Sequence, residues 1–228
     1  MSDRISTGCP AVDDLLGGGF ERGAVTQVYG PPAAGKTNLA LSAAVGVAAG
    51  GESVLYVDTE DLSVERLAQL ARSRTDDVDD LASRILITEA HTFEQQEEAV
   101  RDAEEFAGRV QLVVLDSATG FYRLQRTEQQ EGEALRAVGR QLTHLLGLAR
   151  KHDLAVVFTN QVFADPDSDR TRALGGNTLD HWSGTVLRLE RFRGGNRRAT
   201  LEKHRSRAAG DSARFAITED GLETVPSR

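Results

Sequence analysis

Gly30-Pro31-Pro32-Ala33-Ala34-Gly35-Lys36-Thr37 is the stretch that decides the fold. It fits the pattern G-x-x-x-x-G-K-[ST], whose chemistry is that of a phosphate cradle. Two glycines let backbone N–H groups close around phosphate oxygens, the start of a helix adds a field that favours anions, the lysine reaches the β and γ phosphates, and the hydroxyl ligates Mg²⁺. That chemistry needs a buried strand before the loop and a helix after it. Ala24 to Tyr29 reads as the strand and Thr37 to Ala49 as the helix. The octet, with Asn38 next to it, is therefore the candidate nucleotide-binding set, for ATP with Mg²⁺.

Outward from the loop, short β-branched runs alternate with longer helical patterns, as in stacked βαβ units on a parallel sheet. Further strands are expected at Val54 to Asp58, Ile85 to Thr88, Leu112 to Asp116 and Ala155 to Asn160, each apolar enough for burial on both faces. Helices are expected at Val64 to Ser73, from Thr92 with Gln95 completing a capping box, and over Glu128 to His152. In the last, Leu135, Val138, Leu142, Leu145 and Leu148 fall at helical spacing and form a core stripe. After Gly184, the runs Thr185 to Phe192, Arg198 to Lys203 and Arg214 to Thr218, with a Gly194-Gly195-Asn196 turn, read as antiparallel strands closing the sheet. Ala164 to Thr178 has no apolar period and reads as a mobile loop. The expected fold is α/β: a P-loop ATPase core of one domain over residues 1–228, its central sheet mostly parallel with antiparallel C-terminal strands.

A nucleotide–metal site also needs carboxylates at the ends of neighbouring strands. Leu112-Val113-Val114-Leu115-Asp116 has the form of a Walker B strand, and Asp116 joins Thr37 as the candidate metal pair. Many strands end in an Asp that merely caps a helix. Glu60, after Tyr56-Val57-Asp58-Thr59, is the candidate catalytic base that orients or deprotonates water, or else a solubilising acid at a strand end. Asn160 and Gln161 close another strand at the same edge, where an amide can sense the γ-phosphate or simply cap a loop.

Composition bounds the rest. Length and 39% hydrophobic content suit one globular domain, and a single cysteine, Cys9, supplies neither a disulfide nor a metal framework. The run Leu39 to Ala49 is shorter than the ~20 residues of a bilayer span, so no membrane association and a cytoplasmic location are expected. The net charge of −8 argues against a broadly basic nucleic-acid surface, so any DNA contact is local. Lysine occurs only at 36, 151 and 203, a skew that fits a salt-loving source or GC-rich codons alike.

Several spans together resemble one family. Ile5-Ser6-Thr7-Gly8, Leu15-Leu16-Gly17-Gly18-Gly19, the P-loop, Val57-Asp58-Thr59-Glu60, Thr159-Asn160-Gln161 and Leu174-Gly175-Gly176-Asn177 follow the order found in archaeal RecA/RadA-type recombinases. The resemblance implies a RecA-like core, Glu60 as catalytic glutamate, Gln161 as γ-phosphate sensor and Arg66 against adenine. It also implies two DNA loops, Thr119 to Glu133 and Phe163 to Asn177, with Arg123, Arg126, Arg170 and Arg172 as local cations. These equally read as solvated loop charges, and nearby acids compete with them. Lys203-His204-Arg205 is similar to the Lys-x-Arg pair that KaiC-like relatives extend into a neighbouring subunit's nucleotide, or is an exposed strand end.

Two departures qualify the resemblance. Only 29 residues precede Gly30, so no N-terminal helix-hairpin-helix domain is expected. No Phe-x-x-Ala occurs, the hook by which family recombinases polymerise. The function implied is an ATP- and DNA-binding accessory protein of homologous recombination and DNA repair, a weak ATPase with no strand exchange of its own. Its implied partners are single-stranded DNA at modest affinity, the main RadA-type recombinase and further copies of itself. The alternatives are a filament-forming recombinase and a KaiC-like regulatory ATPase.

Overall fold

A computed structural model describes residues 4–121, 128–164, 171–192 and 195–226. Arg123, Arg126 and Arg170 lie outside the described residues. The chain opens with β1 (Arg4–Ile5), α1 (Pro10–Leu16) and β2 (Phe20–Glu21), then passes through β3 (Val25–Tyr29) into α2 (Lys36–Ala49). It continues through β4 (Ser53–Asp58), α3 (Val64–Arg72), α4 (Val78–Ser83), β5 (Ile85–Glu89), α5 (Phe93–Phe106) and β6 (Val110–Asp116). Next come α6 (Glu128–His152), β7 (Ala155–Asn160), β8 (Val162–Ala164), β9 (Thr171–Ala173) and α7 (Gly176–Trp182). The last strands are β10 (Thr185–Arg191), β11 (Asn196–Lys203), β12 (Ser212–Ile217) and β13 (Leu222–Thr224).

The main sheet of the described residues has nine strands in the order β13-β12-β11-β10-β3-β7-β6-β4-β5. Six of them, β10 to β5 in that order, run parallel, and β11, β12 and β13 continue antiparallel. This is a RecA-like α/β fold. One expectation needs correction. β10 is not the first antiparallel strand, because it pairs parallel with β3 through Thr185–Thr26 to Arg188–Tyr29 and turns antiparallel only towards β11. The β-branched run alone carries no direction; α7, which precedes it, is the crossover that permits parallel pairing.

Two apolar layers sandwich the sheet. On one side Leu39, Leu41 and the alanines of α2 pack on Val28, Tyr56, Val114, Val157 and Leu187. α2 is apolar nearly all round because it is buried along most of its length. On the other side Val138, Leu142, Leu145 and Leu148 of α6 meet Val113, Leu115 and Phe158, so the stripe is core as expected. The expectation of burial on both faces fails for β5. It is the edge strand, and its side chains alternate from the buried Ile85 to the 39% exposed Ile87.

Caps fix the helix starts. Ser63 accepts from the Arg66 N–H and Thr92 from the Gln95 N–H. The Gln95 side chain accepts from the N–H of His91, one residue before the cap, a variant of the expected box. The supposed loop from 164 to 178 holds more structure than its composition predicts. β8 and β9 pair antiparallel, and α7 starts after Gly175. No helix of the described residues is long and apolar enough to cross a membrane.

Candidate nucleotide site

Parallel strands deliver their carboxyl ends to one edge. Register sets Asp58 beside both Glu89 and Asp116, and Tyr29 beside Asn160, so the residues after β3, β4, β6 and β7 converge there. At the P-loop the chain turns sharply into α2 through Gly35, whose φ of 102° is a left-handed value suited to glycine. Lys36 is buried at 8% exposure, and its ammonium donates to the carbonyl oxygens of Gly30 at 3.0 Å and Pro31 at 3.2 Å. A cleft of about 340 Å³ opens against Pro32, Ala33, Gly35, Lys36, Thr37, Asn38, Glu60 and Gln161. Eight residues singled out from the sequence thus share one wall.

Asp116 ends β6 at this same edge, with 1% of its surface exposed. Burial raises its carboxyl above the ordinary range, and hydrogen bonds from Thr159, Tyr56 and Thr37 pull it back towards the charged form. The Tyr56 hydroxyl donates at 2.7 Å, and Thr159 donates to the other oxygen. Thr37 thus lies near enough to Asp116 to act on its carboxyl, which sets close together the two groups expected to share a metal. A hydroxyl and a carboxylate are hard oxygen donors suited to Mg²⁺, so the residues present fit that ion.

Glu60 stands over the cleft, exposed, with one oxygen accepting from the Ser117 hydroxyl at 2.7 Å and the Gln161 amide at 2.9 Å. Asp58 orients the turn beneath it, accepting the N–H groups of Glu60 at 3.0 Å and Leu62 at 2.6 Å. Asn160 takes a different part from Gln161. Fully buried, it accepts from the Thr119 hydroxyl and donates to the Leu174 carbonyl, each at 2.8 Å. Thr119 in turn accepts from the Gln161 N–H at 3.2 Å. Asn160 therefore ties the segment after β6 to the segment after β9, and only Gln161 faces the cleft.

Arg66 lies one residue further out. It donates to Asn38 at 2.9 Å and to the carbonyls of Glu219 and Thr218, each at 2.9 Å, so it clamps α2, α3 and the β12–β13 turn beside the cleft. Arg172 is exposed and pairs across the hairpin with the exposed Phe163. Lys203 and Arg205 are not at this edge. Lys203 lies opposite Val186, at the amino end of β10, and donates to the Asp180 carbonyl at 2.6 Å, while Arg205 is 3.7 Å from Glu21. A strand of seven residues separates them from their own P-loop by roughly 20 Å.

Three comparisons bear on this arrangement. The Rad51 family model matches residues 3–225. The DNA repair and recombination protein RadB of Halobacterium salinarum is 59% identical over 97% of this chain and 95% of its own length, and that of Methanoculleus marisnigri 48% identical over 98% and 99%. The chain belongs to the RadB branch of the Rad51 family. A crystal structure of the RadB recombinase superimposes with a TM-score of 0.85 at 39% identity, covering 97% of this chain and all of that one.

Membership of the RadB branch accounts for the order of motifs, yet four residues of the site were not singled out. Tyr56, Ser117, Thr119 and Thr159 all bond to groups that were. Two of them stood in stretches already quoted: Tyr56, two residues before Asp58 on a strand, shares that residue's face, and Thr159 opens Thr159-Asn160-Gln161. Ser117, Thr119 and Thr159 are short hydroxyls whose partners lie on other strands, so a single segment cannot reveal them.

Proposed function

We propose that this chain is an ATP- and DNA-binding accessory protein of homologous recombination and DNA repair, with weak ATP hydrolysis and no strand exchange by itself. The observation that carries the reading is the continuous chain of hydrogen bonds from Glu60 through Gln161 and Thr119 to Asn160 and Leu174. It joins the candidate cleft to the roots of both segments expected to hold DNA. The RadB relatives' description as DNA repair and recombination proteins supports the same assignment.

In this mechanism the P-loop amides and Lys36 hold the phosphates, Asn38 and Arg66 border the base, and Thr37 and Asp116 hold Mg²⁺. The metal supplies charge neutralisation along the phosphate chain. Glu60 accepts a proton from water, with Ser117 and Gln161 fixing the orientation of its carboxylate. A change of Gln161 in response to the γ-phosphate passes to Thr119, and hence to Asn160 and the second segment. Arg172, with Arg123, Arg126 and Arg170, contacts DNA phosphates. Lys203 and Arg205, at the opposite edge of the sheet, reach a nucleotide only in a neighbouring copy.

No Phe-x-x-Ala occurs in these 228 residues, which supports assistance over autonomous exchange. The test is a joint-molecule assay with homologous DNA, ATP and Mg²⁺. The protein alone is expected to yield no joint molecules, and added to the cognate RadA-type recombinase it changes their rate or yield. Robust joint molecules from the protein alone would establish a filament-forming recombinase instead. No DNA binding and no effect on the recombinase would leave a regulatory ATPase of the KaiC-like kind.

A further inference from the structure

Arg191 ends β10 and Arg197 lies directly opposite it in β11. Opposed residues in an antiparallel pair share a face. Two residues inward, past Glu190 and Arg198, the pair Leu189 and Ala199 belongs to the core beneath α2, so alternation puts both arginines on that same P-loop side of the sheet. The carboxylates of this region lie on the other face, where Glu190 pairs with Arg188 and Arg198, and Glu202 with Arg188. Among the described residues neither Arg191 nor Arg197 makes an ion pair, and two like charges directly opposite each other oppose folding.

Arg197 also touches the cradle. A Cβ placed on Gly35 would lie 3.9 Å from Arg197 Cγ and 3.0 Å from Ile217 Cδ1, so the arginine stem runs along the second glycine of the P-loop. Its Nε is buried without a hydrogen-bond partner, while the terminal nitrogen donates to the Gly195 carbonyl. Burial, and then the neighbouring Arg191, weaken its hold on its proton. Among the described residues that line the cleft, Lys36 is the single cation and Glu60 stands with it, a poor balance for a polyanionic ligand.

We propose that Arg197, with Arg191 beside it, forms a second cationic contact for the phosphate chain of the bound nucleotide, on the flank of the P-loop opposite Glu60. The inference rests on the nucleotide reading of the cleft and adds to it a pair on the antiparallel part of the sheet. An anion there supplies a counter-charge to both guanidinium groups and relieves the repulsion between them. The pair is thus a local cost to folding that ligand binding offsets.

The test compares wild type with Arg197→Gln, Arg197→Lys, Arg191→Gln and Lys36→Ala, using ADP with Mg²⁺ in calorimetric titrations at low and high salt, and thermal melts without ligand. Arg197→Gln should bind ADP about tenfold more weakly at low salt, as expected for one lost charge-assisted contact, with a smaller deficit at high salt. Arg197→Lys should recover part of the loss. Ligand-free Arg197→Gln and Arg191→Gln should melt at or above the wild-type temperature. Wild-type ADP affinity in Arg197→Gln alongside lost binding in Lys36→Ala would overturn this inference alone, whereas wild-type affinity in Lys36→Ala would overturn the nucleotide reading beneath it. A ligand-free Arg197→Gln that melts well below wild type would make the residue structural. Unchanged ADP affinity with lost binding to the cognate recombinase would assign the pair to an acidic protein surface and overturn the proposal.

Discussion

At Asp116, burial and hydrogen bonding oppose each other, and the balance decides how the carboxylate meets a metal. Burial pushes the carboxyl up, and Thr159, Tyr56 and Thr37 pull it down. Tyr56→Phe removes the 2.7 Å donor without changing shape, so the carboxyl should rise further. Mg²⁺-dependent nucleotide binding should then fade at a higher pH on acidification than in wild type, and urea unfolding should show a loss of about 1–3 kcal/mol. An unchanged pH profile would remove Tyr56 from the site. Glu60→Gln keeps the contacts from Ser117 and Gln161 sterically possible but removes the proposed base. ATP binding should persist while turnover falls by about 10²–10⁴-fold, measured as phosphate release. Lys36 and Thr37 were legible in the sequence from the P-loop spacing, and Asp116 and Glu60 because each follows the apolar run of a strand. The hydroxyls that orient them were not, because their partners come from other strands.

Among the elements, α7 was hidden because its residues are polar and its start is a glycine pair. Gly175, its N-cap, has φ 76°, and a Cβ there would lie 2.7 Å from Leu135 and 2.8 Å from Leu179. Gly175→Ala should cost about 1–3 kcal/mol by urea unfolding, through backbone strain and crowding against α6. Wild-type stability would mean that α7 is not seated in this way. The loop after β11 offers a pH test. His204 is held below its ordinary value by burial and by Arg4 and Arg207, against a smaller upward pull from Glu21. Its unfolded form binds the proton first, so the stability it contributes is present above about pH 6.5 and is lost as pH falls through that value towards the folded one. His204→Gln should flatten this part of the stability profile from pH 7.5 to 5.5, and an identical slope in the variant would show that other groups set it. The strands β3 to β7 and β10 to β12 were legible from their β-branched runs, whereas β1, β2, β8, β9 and β13 were not. The direction of β10 and the exposure of β5 depend on neighbours in the sheet and were not.

For the molecule as a whole, a net charge of −8 sets the terms for the proposed contact with DNA. With four candidate arginines and surrounding acids, binding to single strands should be weak and fall with salt. The slope of log K against log salt should be no steeper than about −3, near 0.7 per phosphate contacted. Filter binding across a potassium chloride series measures it, and a much steeper slope would mean that a larger basic surface exists. The parallel βαβ order was legible from the alternation of patterns, and it alone forces Lys36, Asp116, Glu60 and Gln161 to one edge. The account therefore stands or falls on that edge holding a nucleotide. Isothermal titration of ATP with Mg²⁺ into wild type and into Lys36→Ala, each shown to be folded by circular dichroism, decides it. The account predicts one site in wild type and an affinity lower by about a hundredfold or more in the variant; equal affinity in a folded Lys36→Ala would contradict it.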